Sequence, residues 1–385
     1  FSFIYLLYLI FNVPTIMKTT NSDNKSELIK KIKLWSDDLG FDGIGFSNTN
    51  LSDAESNLQK WLELKFHGEM TFMEKHGLKR SRPGMLIPDT ISIISVRMNY
   101  LSSKNNENRK FLDHPKKAYI SRYALGRDYH KVLRKKLNLL GKKISNELSS
   151  FGYRAFVDSA PVLEKPIAEK AGLGWIGKNT NIINKNSGSY FFLGEIYTDL
   201  ILPPDKATGN HCGSCSACID ICPTNAIVAP YVLDARKCIS YLTIELKGPI
   251  PIEHREAIGN RIFGCDDCQI FCPWNKFAQK TSIEDFSPRS NLDSIDLVEV
   301  FLWNEELWKI KTEGSAIRRI GYELWLRNIA VALGNAKTSE DVLGALKSRK
   351  NDKSELVREH VMWAINQHRK KLPDKNIVNQ SNSLN

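Results

Sequence analysis

Two short cysteine runs constrain this chain more than any other feature, since they hold seven of its eight cysteines. The first, residues 212–223, has the spacing C-x2-C-x2-C-x3-C-P. In bacterial ferredoxins, three cysteines of that pattern bind one [4Fe–4S] cluster and the fourth binds a neighbouring cluster. The second run, residues 265–273, lacks the first cysteine of the pattern, because Ile262 occupies its place. Cys238 is the cysteine left over, and it can supply the missing thiolate.

The spacing therefore predicts two [4Fe–4S] clusters, each with four cysteine ligands. The expected ligand sets are Cys212, Cys215, Cys218 and Cys272 for one cluster, and Cys222, Cys238, Cys265 and Cys268 for the other. A disulfide framework is typical of small secreted domains, which a chain of 385 residues is not. A zinc ribbon needs two C-x2-C pairs and has no use for a third cysteine in register followed by Cys-Pro.

Length and charge set broader limits. A chain of 385 residues predicts two or three domains. Its net charge of +11 favours an acidic partner, most simply nucleic acid, although lysine-rich solvated helices also account for it.

The first residues of the chain are apolar and call for a separate interpretation. Residues 1–16 lack the basic start and the small-residue end of a signal peptide, and they are too short and interrupted for a membrane span. We interpret residues 1–23 as an upstream extension, disordered or arising from a mis-set start. We expect a cytoplasmic protein without membrane attachment, since a thiolate-rich metal protein without an export signal belongs there.

Apolar periodicity predicts alternating helices and strands before the cysteines and helices after them. The expected helices are 26–39, 51–66 and 128–148, and the expected strands are 41–46, 91–100, 153–158 and 190–200. These elements indicate an α/β or α+β domain over residues 24–203, ended by Pro203-Pro204. A cluster domain of ferredoxin type follows at 204–285. A helical domain at 286–370 contains two similar segments, as HEAT-type repeats do, and a polar tail at 371–385 ends the chain.

Asp158 is the candidate catalytic residue outside the cysteines. It ends an apolar strand just before Pro161, a position at which it can cap a helix, alone or with Ser159. Alternatively, it is a carboxyl group among apolar neighbours, whose raised pKa lets it donate a proton near neutral pH. The glycine-rich stretch that follows, residues 171–179, permits close backbone approach to a ligand, but it is not a dinucleotide-binding fingerprint.

Several segments together resemble the epoxyqueuosine reductase family. They are residues 158–164, 174–179, 120–130 and 358–365 and the two cysteine runs. The likeness extends from about residue 25 to 370. Enzymes of this family depend on iron–sulfur clusters and cobalamin, and they perform the last step of queuosine synthesis on tRNA. The resemblance implies a cobalamin-binding N-terminal domain, a double-cluster domain and a C-terminal helical-repeat domain.

The resemblance also implies roles for individual residues. Asp158 matches the proposed proton donor. Ser240 and Asp266 match positions near the corrinoid, and Lys178 is a weaker candidate for such a position. Electrons are expected to pass from an external low-potential donor through the two clusters to cobalamin, which reduces the epoxide of epoxyqueuosine in the tRNA anticodon loop. We expect a monomer.

Two histidines and a set of basic residues complete the candidates. We expect His130 to lie on a basic helix face rather than to bind metal, and His211 to tune or shield a cluster. Basic residues of the C-terminal helices are candidates for holding tRNA phosphates, or else form a solvated face. They are Arg318, Arg319, Arg327, Lys347, Arg349, Lys350 and Arg358.

Three other functions stay open at this point. A plain electron carrier would need only the cysteine region, not the 180 or so residues that precede it. A reductive dehalogenase also combines a corrinoid with two clusters, but such enzymes usually carry a twin-arginine export signal, and none is visible here. The third alternative is a tRNA-binding protein whose clusters are purely structural.

Overall fold

The computed structural model describes residues 22–371. Residues 1–21 and 372–385, which hold most of the predicted extension and polar tail, lie outside that range. Within it, no helix is long and apolar enough to cross a membrane.

A four-stranded sheet organises the N-terminal half of the protein. Its strands lie in the order β1-β2-β7-β4, and every neighbouring pair is antiparallel. The fold is therefore mixed α and β, as predicted, and the antiparallel pairing makes it α+β rather than α/β. The sheet strands are β1 (Gly43–Asn48), β2 (Ser92–Asn99), β4 (Tyr153–Phe156) and β7 (Phe191–Thr198).

Helices cover both faces of this sheet because its strands alternate apolar side chains between two cores. One core joins the sheet to two long amphipathic helices through residues such as Ile32, Ile94, Leu137 and Ile196. The other packs the sheet against a short helix through residues such as Ile93 and Ile167. The helices of this half are α1 (Ser22–Asp38), α2 (Ser52–Glu63), α3 (Phe72–Lys75), α4 (Pro83–Leu86), α5 (Asn105–Asn108), α6 (Tyr129–Glu147) and α7 (Glu164–Lys170). Every helix and strand predicted here exists, with its ends shifted by a few residues.

Short elements hold the cysteine segments. The strand pairs there are β10–β3, which joins the second cysteine run to an earlier segment, and the local hairpins β5–β6 and β8–β9. The strands are β3 (Tyr119–Ile120), β5 (Trp175–Ile176), β6 (Ile182–Ile183), β8 (Ile227–Ala229), β9 (Val232–Leu233) and β10 (Arg261–Phe263). The helices are α8 (Ala217–Asp220), α9 (Ile239–Ile244), α10 (Ile252–Arg255) and α11 (Asp267–Ile270). Because β10 pairs with β3, the second cysteine run is bonded to the segment that precedes α6.

The C-terminal part is helical, as predicted. It consists of α12 (Leu297–Leu302), α13 (Glu305–Lys311), α14 (Gly321–Asn335), α15 (Glu340–Ser348) and α16 (Glu355–Lys371). Its core is continuous with the cysteine region, because Ile262 and Phe263 pack in the same cluster as Trp325 and Ile329.

Candidate functional site

Two cavities collect the eight cysteines in the two predicted sets. The first, here called the outer cluster cavity, has a volume of about 320 Å³. It is lined by Cys212, Cys215, Cys218 and Cys272, together with Lys178 and Trp274 among others. Cys215 is exposed, whereas Cys272 is buried, so this cavity reaches the protein surface. His211 packs edge-on against Trp175, with ring centroids 4.8 Å apart, and it also packs against Trp274.

The second cavity, here called the central cavity, has a volume of about 540 Å³. Its lining includes the other four cysteines, Cys222, Cys238, Cys265 and Cys268. Asp158, Ser240 and Asp266, three of the four residues that the sequence placed near a corrinoid, line the same cavity. One continuous space therefore connects one predicted cluster set to the candidate catalytic carboxyl group.

The thiols of each set perturb one another. Burial, followed by the thiols of Cys272 and Cys212, raises the pKa of Cys218 to about 11. Burial also raises the pKa of Cys268, and Cys238 and Cys222 add to this shift. Crowded, uncharged thiols of this kind become thiolates when a cationic metal centre binds them, so iron uptake must release protons.

Lys178 corrects one sequence expectation. Its Nζ donates to the carbonyl oxygens of Gly213 at 2.7 Å and Cys215 at 2.8 Å. It lines the outer cluster cavity, not the central one, because these two carbonyl groups hold the ammonium group in the first cysteine run.

The glycine-rich stretch corrects another. A Cβ atom on Gly174 would lie 2.4 Å from the carbonyl oxygen of Ile183, and one on Gly177 would lie 2.4 Å from the Ile183 side chain. These glycines allow the β5–β6 hairpin to pack closely on itself. Their small size is used within the protein rather than for approach to a ligand.

A capped helix brings the polar partners of Asp158 into place. Asp128 is the N-cap of α6 and accepts from the backbone N–H of His130. The cap places Tyr129 and His130 in the first turn, facing the end of β4. Nε2 of His130 lies 2.7 Å from Oδ1 of Asp158, and the hydroxyl of Tyr129 donates to the other oxygen. Nδ1 of His130 lies 2.7 Å from Asp128, whose other carboxylate oxygen is 3.1 Å from Arg319.

The structure supports neither of the two interpretations of the Asp158 side chain, helix cap or carboxyl group with a raised pKa, and it places His130 away from a basic helix face. The role of Asp158 as proton donor stays a prediction. The Asp158 side chain is 38% exposed and does not cap α7, which begins six residues later. Partial burial opposes its ionisation, but the hydrogen bond and charge of His130 and the bond from Tyr129 lower the pKa of Asp158. His130 is buried rather than on a solvated face. Burial works against its protonation, yet its bonds to Asp128 and Asp158 raise the pKa of His130. A proton shared by this pair resides on the imidazole.

Asp266 and Ser240 lie at the boundary between the central cavity and the second cysteine run. Asp266 is buried and accepts from the hydroxyls of Tyr119, at 2.8 Å, and Ser121, and from the backbone N–H of Arg122 at 2.8 Å. Because its acceptor sites are occupied, Asp266 holds residues 119–122 against the cysteine run.

Two carboxyl groups near Asp158 were missed in the sequence. Glu164 is half-buried in the wall of the central cavity. Glu195 is fully buried on β7, and neither of its carboxyl oxygens has a hydrogen-bond partner within residues 22–371. The family resemblance includes Glu164 but implies no role for it. Glu195 lies in an otherwise apolar strand, and its charge is the only feature of the sequence there that points to it.

The basic residues of the C-terminal helices divide into two groups. Arg327 is fully buried and donates to the carbonyl oxygens of Leu242, Leu246 and Gly248, each at 2.7 Å. Arg349 donates to two carbonyl groups of residues 301–303. These two side chains fasten helices to neighbouring segments, which differs from both roles that the sequence left open, phosphate ligand and solvated face. Arg318, Lys347 and Lys350 are exposed.

The two four-thiol cavities, one of which is also lined by Asp158, define a double-cluster iron–sulfur oxidoreductase. The family model described as 4Fe-4S double cluster binding domain matches residues 211–275. The model described as Epoxyqueuosine reductase QueG, DUF1730, matches residues 80–159. The chain belongs to the epoxyqueuosine reductase family, because two named members are 59% and 56% identical to it over 89% of its length.

Similar proteins of known name support this membership. An epoxyqueuosine reductase of Pseudomonas aeruginosa is 59% identical over 344 residues, which cover 89% of this chain and 95% of that protein. One from Escherichia coli K12 is 56% identical, with 89% and 90% covered. A crystal structure of epoxyqueuosine reductase with an epoxyqueuosine-modified tRNA-Tyr stem loop has a TM-score of 0.81 at 29% identity, with 89% of this chain and 91% of that one covered.

Proposed function

We propose that this protein reduces epoxyqueuosine to queuosine in a tRNA anticodon loop, as an oxidoreductase. The observation that carries the proposal is the central cavity, where four predicted cluster ligands and Asp158 line one space in a member of the epoxyqueuosine reductase family. The reaction needs electrons and protons at the same place, and this cavity brings an electron source and proton-bearing side chains together.

We infer that the eight cysteines hold two [4Fe–4S] clusters in the sets predicted from spacing. Cys212, Cys215, Cys218 and Cys272 share one cavity, and Cys222, Cys238, Cys265 and Cys268 share the other. Hydrogen-bond donors also face the sulfur atoms, which suits thiolate ligands. The backbone N–H of Ala226 lies 3.2 Å from Sγ of Cys222. An external low-potential donor would approach at exposed Cys215 and the outer cluster.

We also infer that cobalamin binds in the central cavity, next to the inner cluster. The lining fits a large polar ligand because it combines hydroxyl and amide side chains, among them Ser240 and Asn181, with aromatic rings such as Tyr123. No histidine lies among its lining residues within the described chain, in line with a family in which cobalt has no protein histidine ligand. When bound, cobalamin supplies a metal centre that accepts electrons singly and passes them to the substrate.

Asp158 is the proposed proton donor, and the structure indicates how it would be supplied. The proton of the His130–Asp158 pair lies on the imidazole, as the directions of both pKa shifts favour. When negative charge develops on the substrate oxygen, Asp158 can donate a proton to that oxygen, and His130 can transfer its own proton to Asp158. Tyr129 orients the carboxyl group through its hydroxyl, and Tyr129 itself stacks on Phe192 with ring centroids 4.1 Å apart.

We propose the partners and the domain limits of this protein on the same grounds. The similar protein bound to a tRNA stem loop supports tRNA as the partner here, and a tRNA substrate favours a cytoplasmic enzyme. We propose that the protein works as a monomer, with the cobalamin domain at 24–203, the cluster domain at 204–285 and a HEAT-like domain at 286–370. RNA loops are recognised by splaying bases out of the stack, which would bring the modified base into the central cavity.

An anaerobic assay tests the proposed function directly. Reconstituted protein is incubated with a chemical reductant and tRNA that carries epoxyqueuosine, with and without added cobalamin. Conversion to queuosine that requires both clusters and cobalamin is expected. Absence of conversion by protein with full iron and corrinoid content would refute the proposal.

A further inference from the structure

A second carboxyl group stands in the wall of the central cavity near Asp158. Glu164 is the first residue of α7, and its side chain makes no hydrogen bond or ion pair within the part of the chain that the structure describes. Burial, and then the charge of Asp158, raise the pKa of Glu164 to about 8, against the opposing charges of Lys165 and His130. Glu164 is therefore protonated at neutral pH, whereas Asp158 is ionised.

Glu195 is a further buried carboxyl group, on the sheet that α7 covers. It lies on β7, directly opposite Ser95 and Phe156 in the sheet, and it is fully buried. Helix α7 packs on this part of the sheet. Burial, and then the charges of Glu164 and Asp158, raise the pKa of Glu195 well above its usual range. Burial and the neighbouring carboxylates thus favour the neutral form of Glu195, and a neutral Glu195 adds no charge near Glu164.

The proposed reaction needs more protons than the His130–Asp158 pair holds. Converting an epoxide to an alkene breaks two C–O bonds, forms one C=C bond, consumes two electrons and two protons, and releases one water. The electrons come from two equivalents of a one-electron, low-potential donor. The first proton makes the opened oxygen a hydroxyl group, and the second lets that hydroxyl leave as water. The His130–Asp158 pair carries one proton, so a second donor must face the same cavity.

We propose that Glu164 donates the second proton, to the oxygen that leaves as water. This inference rests on the proposed function. After transfer, the positive charge of Lys165, which lines the same cavity, stabilises the Glu164 carboxylate. Solvent protons then restore the acid for the next turnover.

Other carboxyl groups of the cavity fit this role less well. Asp266 already accepts three hydrogen bonds, from Tyr119, Ser121 and the backbone of Arg122. Burial raises the pKa of Glu245, but the opposing charge of Lys247 outweighs the contribution of Asp158 there. In Glu164, by contrast, Asp158 is the largest influence after burial.

Steady-state kinetics of the reconstituted holoenzyme on epoxyqueuosine-containing tRNA test the proposal. Glu164→Gln should lower kcat by about 10²-fold with KM for tRNA unchanged, since general acid catalysis contributes about 10²–10⁴-fold. In the native enzyme kcat should decline as the pH rises through about 8, and Glu164→Gln should retain only the decline that deprotonation of His130 causes. Glu164→Asp should recover part of the rate and the decline. The matched control is Glu340→Gln, the same change at the exposed first residue of α15, which should match the native enzyme.

Infrared difference spectra between native protein and Glu164→Gln supply a readout without turnover. They should show a protonated carboxyl band that disappears near pH 8. The proposal is overturned if Glu164 is already ionised at pH 7, or if Glu164→Gln keeps the native kcat and pH profile. Failure of the native enzyme to convert epoxyqueuosine would instead refute the proposed function.

Discussion

His130 holds Asp158 in an ion pair, with Nε2 of the imidazole 2.7 Å from Oδ1 of the carboxylate. The same ring is bonded through Nδ1 to Asp128 at 2.7 Å. Because both neighbours are acidic, the imidazole is stabilised as a cation, and the candidate catalytic carboxyl group is ionised in the resting protein. Asp158 is thus one member of a proton-sharing pair rather than an isolated acid.

Replacing Asp158 tests its role in the reaction. Asp158→Asn should lower turnover by about 10²–10⁴-fold, because the amide cannot pass on a proton. Iron and corrinoid content should stay at native levels, since the residue lies outside the cysteine runs. Turnover on epoxyqueuosine tRNA and metal analysis check both expectations. Native turnover by this variant would remove the proposed role.

Removing the imidazole cation should change the pH dependence of stability. The folded pKa of His130 is raised above its usual 6.5, so the stability it contributes is fully present below pH 6.5 and is lost as the pH rises through the folded pKa. His130→Gln should lack this loss when the free energy of unfolding is measured by urea titration across that range. The ion pair is contradicted if the free energy of unfolding of the variant depends on pH in the same way as that of the native protein. Asn138→Gln, on the same helix, is the control.

Cys238 is the cysteine outside both runs, so its replacement tests the ligand assignment. Cys238→Ser should reduce iron from about eight to about four atoms per chain, because the inner cluster loses one of four ligands. Anaerobic iron analysis and Mössbauer spectroscopy measure this. Ser214→Ala, an exposed residue between two ligands of the outer cluster, should retain all the iron. Full iron content in Cys238→Ser would contradict the assignment.

If tRNA phosphates contact the C-terminal helices, affinity for the stem loop should fall steeply with added salt. Replacing exposed Arg318 and Lys347 with Gln should weaken binding and reduce the logarithmic salt slope by about 1–2, since each phosphate contact releases about one counterion. Fluorescence anisotropy at several salt concentrations measures both effects. An unchanged slope in the double variant would place the phosphates elsewhere.

Arg327 should behave as a structural residue. Arg327→Gln should lower the free energy of unfolding by about 2–4 kcal/mol, because buried carbonyl groups lose their donors. Exposed Lys350→Gln should change it by less than about 0.5 kcal/mol. Chemical denaturation compares the two variants. Equal stability of both would show that the guanidinium bonds contribute little.

Local signals carried much of the fold. The helix at 128–148 and the strands at 91–100 and 190–200 were predictable because their apolar periodicity is strong and their ends carry polar residues. Cysteine spacing likewise predicted two sets of four, since the ferredoxin pattern fixes which thiols are close. The antiparallel strand order was not predictable, because it depends on pairing between segments far apart in sequence.

Burial decided what local signals left open. Arg327 and exposed Arg318 cannot be told apart in the sequence. Only the packing of Arg327 against residues 242–248 makes it a structural residue. Lys178 is a candidate corrinoid contact in the sequence, but in the structure its ammonium group donates to carbonyl groups of the first cysteine run.

By itself, the sequence determined the chemistry of the metal sites and the family, because ligand spacing and motif order are written in neighbouring residues. Only the tertiary structure decided the protonation state of the cavity wall. The pKa of Asp158 falls and that of Glu164 rises through contacts with groups on other elements, and such long-range charge and burial have no signature in a linear string.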